Sequence, residues 1–232
     1  MAARRQVTNK LRAAYARASK TDRGRILDEV MSGMGRTGYL FACEEDGVTP
    51  DIVTIAKGLA AGYQPIGAML STSRIFDAIV GGSGFFQHGH TYIGHATACA
   101  AALAVQRVIA EDRLLDNVRA RGEQLRARLR EALGAHPNVG DVRGRGLLQG
   151  IELVLDRQTK EGSDVLGAQV TQRCLELGLH MNVVQLRGMG GTFRIAPPLT
   201  STAQEIALGL EMLDQAIGEV VATFPGLGGR RG

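Results

Sequence analysis

With 232 residues, 44% of them hydrophobic and 22% charged, the chain has an ordinary globular composition and enough length to bury a core as one large or two small domains. Its formal charge of +4 is uneven: residues 1–25 hold eight basic residues and one acid, so the other 19 basic and 22 acidic residues make a mildly acidic body with no nucleic-acid footprint. No apolar run is long enough to span a bilayer, and three scattered cysteines (Cys43, Cys99, Cys174) speak against a disulfide framework and fit a reducing cytoplasm.

In the basic segment 1–25, Leu11, Ala14, Tyr15 and Ala18 recur at helical spacing, which predicts a surface helix over a transit peptide or nucleic-acid arm. An apolar run then ends in Asp28-Glu29, so at least one carboxylate is expected at a sheet's carboxyl edge, where open α/β folds place ligands. Ile52–Ile55 reads as a buried strand that ends near Lys57, with Gly58 and Gly62 behind it to let the backbone turn. Only four lysines stand against 23 arginines, and lysine alone can shed its proton and form a Schiff base. Gly33-Met34-Gly35-Arg36-Thr37-Gly38 spells G-x-G-x-x-G, but a dinucleotide site needs a helix straight after a strand, and Tyr39–Val48 reads as loop or short helix.

Gly67–Leu70 is predicted as a strand and Ser73–Val80 as a helix. Three histidines (His88, His90, His95) follow in a glycine-rich loop without any H-E-x-x-H or C-x-x-C spacing, so no metal is assigned to them. The small-residue run in Ala96–Glu111 predicts a closely packed helix, and Leu114–Leu133 an amphipathic one with its arginines on the solvated face. After the break at Gly134-Ala135-His136-Pro137, Val139–Leu155 reads as a hairpin bent at Arg143–Gly146. A helix over Val165–Leu177 stops at Gly178, and strands Leu179–Gln185 and Thr192–Ala196 are joined by Gly188–Gly191. Arg194 sits within an apolar strand and is expected to be buried against a carboxylate. Ser201 with Glu205 is expected to cap the last helix, which runs to about Val221.

The stretch Asp28-Glu29-Val30-Met31-Ser32-Gly33-Met34-Gly35-Arg36-Thr37-Gly38, followed by Pro50-Asp51-Ile52 and Ala56-Lys57-Gly58, resembles the cofactor signature of class III pyridoxal-phosphate aminotransferases. The offset of 29 positions from Asp28 to Lys57 belongs to that signature, and the resemblance covers roughly residues 26–222. It implies an α/β fold: part of a fold type I large domain over 26–112, with a parallel-rich sheet remnant, and a small α+β domain over 113–222 including its linking helix. Residues 223–232 are expected to be a disordered tail. It further implies a transferase that moves an amino group between an amino donor and a 2-oxo acid or aldehyde. Lys57 would form the Schiff base and move the proton, Asp28 would hold the pyridinium, and Val30 would pack on the ring. Thr91, in a loop resembling the family's His-Thr-x-x-x-His segment, would reach the neighbouring subunit's cofactor phosphate in a homodimer. Arg194, in an R-x-x-P-P segment, would grip the substrate carboxylate.

Residues 139–218 resemble most the dialkylglycine decarboxylase branch, through Gly140–Gly146 and Met181–Gln185, but His95 stands where that branch has an aspartate at an alkali-metal site. Decarboxylation-dependent transamination is therefore the second reading. Family members extend well beyond this chain on the N-terminal side, where a phosphate-binding helix terminus and a ring-stacking aromatic would lie. A truncated product that binds the cofactor weakly, or a non-catalytic fragment, is the expectation from that comparison.

Overall fold

Three strands open the described part of the chain, which in this computed structural model comprises residues 26–183, 191–225 and 227. The expected N-terminal helix, the Gly188–Gly190 turn and most of the expected tail lie outside the described residues. Two units divide the chain: one takes residues up to Gly35 and Tyr39–Asp112, the other Arg36–Gly38 and Arg113–Gly232.

In the first unit, β1 (Ile26–Asp28), β2 (Ile52–Ala56) and β3 (Gly67–Ser71) form a sheet in that order, β1 parallel and β3 antiparallel to β2. The period-two pattern of β2 buries Val53 and Ile55 with Met34, while Ile52, Thr54 and Ala56 stay half-buried on the other face. Short 3-10 turns occupy Ala42–Glu44 and Lys57–Ala60. Helix α1 (Ser73–Gly81) buries no residue, and α2 (Ala96–Glu111) buries only Ala98, Ala102 and Ile109. The small-residue run of α2 thus packs along one face, against the Lys57–Ala60 turn, where Gln106 Nε2 donates to the Leu59 carbonyl at 3.1 Å. Away from that face, Leu103 and Val108 are exposed.

The second unit is built on α3 (Leu114–Leu133), β4 (Val139–Arg145), β5 (Leu148–Asp156), β6 (Glu161–Gly162), α4 (Asp164–Glu176), β7 (Asn182–Val183), β8 (Gly191–Ile195) and α5 (Ala203–Thr223). Its sheet runs β4-β5-β8-β7, antiparallel throughout, with β6 added to β5. Ile151, Leu153, Phe193 and Ile195 on one face of the sheet meet Val118, Leu125, Leu129 and Leu133 of α3 and Ile206, Leu213 and Ile217 of α5 in a single core. The buried positions of α3 (Leu114, Val118, Gly122, Leu125, Leu129 and Leu133) recur every three or four residues, which is why that helix was legible. Arg143–Arg145 lie inside β4, and the hairpin turns at Gly146-Leu147, at the end of the Arg-Gly repeat. The cap of α5 is Thr202, one residue later than expected. Its hydroxyl accepts the Glu205 N–H at 3.2 Å and the Glu205 carboxylate accepts the Thr202 N–H at 2.8 Å, a reciprocal pair that Ser201 cannot form because the acid must stand three residues on.

Residues 36–38 thread through this unit along glycines. A methyl group on Gly146 would stand 2.6 Å from the Thr37 carbonyl carbon, and one on Gly122 of α3 would stand 2.5 Å from Gly146 Cα. Gly122→Ala should therefore lower stability by about 1–3 kcal/mol, read as a lower urea midpoint with an unchanged slope. Gly218→Ala, at a helical site with nothing within 4 Å, should raise the midpoint instead.

Candidate active site

Asp28 ends β1 level with Thr54 of β2, and Lys57 follows directly on β2, three residues past Thr54, so both stand at the carboxyl edge of two adjacent parallel strands. Such strands run about 4.8 Å apart. Register partners share a face, so Asp28 lies on the side of the sheet away from buried Val53 and Ile55. Its carboxylate is exposed and accepts the Val30 N–H at 3.0 Å, which ties the expected pyridinium partner to the expected ring-packing residue. Val30 itself is half-buried.

Lys57 is exposed and holds φ +50°, in the left-handed region that a side chain with Cβ rarely occupies. Strain of this kind costs on the order of 1–3 kcal/mol and concentrates at functional sites. The tight turn behind it needs Gly58, where an added Cβ would come within 3.0 Å of Met34 Cβ, and ends at Ala61 and Gly62, both also left-handed.

Of the two adjacent acids, Glu29 is the structural one. It is 4% exposed, and its carboxylate accepts the Cys43 N–H at 3.0 Å and the Ser32 hydroxyl. Its own N–H donates to the Thr54 carbonyl at 2.9 Å, and its carbonyl accepts the Gly33 N–H at 3.0 Å. Burial, then the charge and hydrogen bonding of Glu29, push the Cys43 thiol above its ordinary range. Sequence reasoning left this brace unassigned; its signal was a second acid directly behind the first.

Thr91 lies in a turn of the exposed loop between α1 and α2 in the same unit. Aromatic contacts order that loop: Phe86 against His88 at 5.7 Å, His88 against His90 edge-on at 4.9 Å, and Tyr92 against His95 at 6.1 Å. His95 Nδ1 accepts the Ala98 N–H at 3.4 Å, so this histidine caps α2. Among the described residues no group of three His, Cys, Asp or Glu has the arrangement to hold a metal ion.

Arg194 belongs to the second unit, and its expected burial is wrong. It is exposed, because β8 alternates and turns Phe193 and Ile195 to the core and Arg194 away from it. The buried arginine is Arg36, whose guanidinium donates to the carbonyls of Leu147 at 3.3 Å and of Pro197, and whose basicity is lowered by that burial. The G-x-G-x-x-G stretch forms irregular turns with Met34, Gly35 and Gly38 at positive φ, and no helix follows it.

The model of the class III aminotransferases matches residues 6–217. The chain belongs to that family. An aminotransferase of Gibberella zeae is 57% identical over 136 residues, 59% of this chain and 27% of the relative. An adenosylmethionine-8-amino-7-oxononanoate aminotransferase of Geobacter sulfurreducens is 40% identical over 195 residues, 83% of this chain and 42% of the relative. Among solved structures, a Bacillus anthracis aminotransferase superposes with a TM-score of 0.77 at 38% identity, over 84% of this chain and 44% of that one. An (S)-enantioselective omega-transaminase of Thermomicrobium roseum gives 0.78 at 37% identity, over 84% and 43%. This class III chain therefore spans less than half the length of the relatives it matches, and its mixed α/β architecture is part of a fold type I transaminase.

Thiol chemistry checks the brace beside Asp28. Exposed Cys99 should react with maleimide in the native protein, whereas Cys43 and Cys174, the latter pushed up to about 11 by burial, should react only on unfolding. Glu29→Ala leaves the Cys43 N–H without its acceptor, at a cost of about 1–3 kcal/mol, and should bring the labelling rate of Cys43 up towards that of Cys99 by mass spectrometry.

Proposed function

We propose that this chain contributes to pyridoxal-phosphate-dependent transfer of an amino group between an amino donor and a 2-oxo acid or aldehyde. The observation that carries the reading is Asp28 and a strained Lys57 ending two adjacent parallel strands at one sheet edge. Class III aminotransferases generally use pyridoxal phosphate, and the donor set fits it: an exposed amine, an exposed carboxylate on the neighbouring strand, and a glycine turn behind the amine. When bound, that cofactor supplies the electron sink that stabilises negative charge at the substrate Cα.

The chain's own residues then have distinct tasks. Lys57 Nζ would anchor the cofactor and afterwards, as base and then acid, carry the proton between the substrate Cα and C4′ of the cofactor. Asp28, oriented by the Val30 N–H, keeps the pyridine nitrogen protonated. Val30 presents an apolar side chain to the ring. Thr91 offers a hydroxyl to a phosphate across a homodimer, and Arg194 offers a planar guanidinium to the substrate carboxylate. The homodimer is supported by large apolar side chains left exposed in the first unit, among them Phe76, Phe85, Tyr92 and Ile93. A reducing cytoplasm is supported by the three free cysteines. Among the described residues no helix is long and apolar enough to cross a membrane.

The test needs no turnover. Borohydride reduction of the protein mixed with pyridoxal phosphate should fix a pyridoxyl group on the peptide containing Lys57. Lys160→Ala should keep that label and Lys57→Ala should lose it. A label spread over several lysines, or one retained in Lys57→Ala, would sink the reading.

A further inference from the structure

Helix α2 buries Ala98, Ala102 and Ile109 along one stripe. Gln106, four residues past Ala102 and three before Ile109, stands on the same stripe and is the polar residue in it. A half-buried amide in such a place costs stability unless it finds a partner. Gln106 finds one far off in sequence: its Nε2 donates to the Leu59 carbonyl at 3.1 Å. Leu59 belongs to the Lys57–Ala60 turn, whose neighbouring carbonyls are served locally. The Ala61 N–H reaches the Gly58 carbonyl at 3.3 Å, and the Tyr63 N–H reaches the Ala60 carbonyl at 2.9 Å. The carbonyl between them takes a side chain from α2 instead.

That bond bears on the lysine that opens the turn. Ala56 is extended at φ −162° and Lys57 is left-handed at φ +50°, so the backbone changes region in a single step. A residue with a Cβ relaxes out of the left-handed region unless its surroundings hold it there. Two of the restraints on this turn are packing: Ala60 is fully buried, and Gly58 lies against Met34. Packing fixes how deep the turn sits. The hydrogen bond from Gln106 is directional and fixes the rotation of the Leu59 carbonyl. Any change of φ at Lys57 is carried to Nζ at the end of a flexible four-carbon stem.

We propose that Gln106 is a positioning residue for Lys57: by holding the Leu59 carbonyl it keeps the lysine left-handed, with its amine presented at the carboxyl edge of β2. This rests on the reading of Lys57 as the amine that takes the cofactor. Gln106 acts through the turn and supplies no chemistry of its own.

The test uses the full chain and two variants of nearly glutamine shape. Gln106→Met keeps the length and loses the donor, and Gln106→Glu sets carboxylate oxygens against the Leu59 carbonyl. One readout is the rate at which borohydride traps a pyridoxyl label on Lys57, with Lys160 as the internal control. The other, which needs no cofactor, is hydrogen exchange at the Ala61 and Tyr63 amides. Both variants should slow labelling of Lys57 about tenfold, which is about 1.4 kcal/mol and within the range of one hydrogen bond. Lys160 should be unaffected, and both amides should exchange faster. In Gln106→Glu the deficit, relative to the unaltered chain at the same pH, should shrink on acidification, because a protonated carboxyl has an O–H to donate. Gln106→Glu within about twofold of the unaltered chain at neutral pH, in both readouts, would show that shape alone counts and would overturn the proposal. So would equal slowing of Lys57 and Lys160, or a fall in the urea midpoint as large as that of Gly122→Ala, since either reports a general loss of structure. Labelling of Lys57 that both variants leave unchanged would overturn the role of Gln106 and leave the cofactor reading standing. Absence of label on Lys57 in the unaltered chain would overturn both.

Discussion

Asp28 keeps its place through the residue behind it. A three-residue edge strand in parallel pairing is weak by itself, and a carboxylate at its end would wander with the strand. Glu29 prevents this by fastening backbone and side chain separately: its N–H extends the ladder to Thr54, and its buried carboxylate takes the Cys43 N–H and the Ser32 hydroxyl. An ionised group is expensive to bury, and hydrogen bonds from both sides offset that cost. The geometry of the candidate site follows, since the turn from Glu29 to Gly33 also aims the Val30 N–H at Asp28.

The second unit relies on close approach of backbones. Gly122, Gly146 and the Arg36–Gly38 segment stack at distances no side chain would allow, and the Arg36 guanidinium fills the carbonyls of Leu147 and Pro197. Pro197 and Pro198 follow β8 and bring no N–H donors of their own, so this end of the strand is held through carbonyls instead. Gly150 in β5 differs in kind from those crossings, as a methyl group there would make only ordinary contacts at 3.7 Å and beyond.

Much of this was legible because the strongest signals were local. The apolar stripe of α3 kept its spacing, the acid and lysine ended their apolar runs, and both landed on one sheet edge. Arg194 was misread for want of one step: Phe193, Arg194 and Ile195 alternate, and period two already turns the middle residue outward. Ser201 and Thr202 are equally good caps by residue type, and only the distance to Glu205 separates them. The exposure of α2 was beyond reach, because a run of alanines looks alike whether its partner surface is present or not. The Glu29 brace was hidden for another reason: its partner is the backbone of Cys43, which no sequence pattern marks.

The path of the chain at Arg36–Gly38 bears on how this protein could be divided. Those three residues group with the second unit while the sequence on both sides of them groups with the first. A gene segment starting at Arg113 would encode every helix and strand of the second unit and still omit the donors on Leu147 and Pro197, and the carbonyl that accepts the Leu147 N–H at 3.0 Å. The two units are thus interleaved along the polypeptide, and exchanging one of them between related genes by a single crossover would cut through the other.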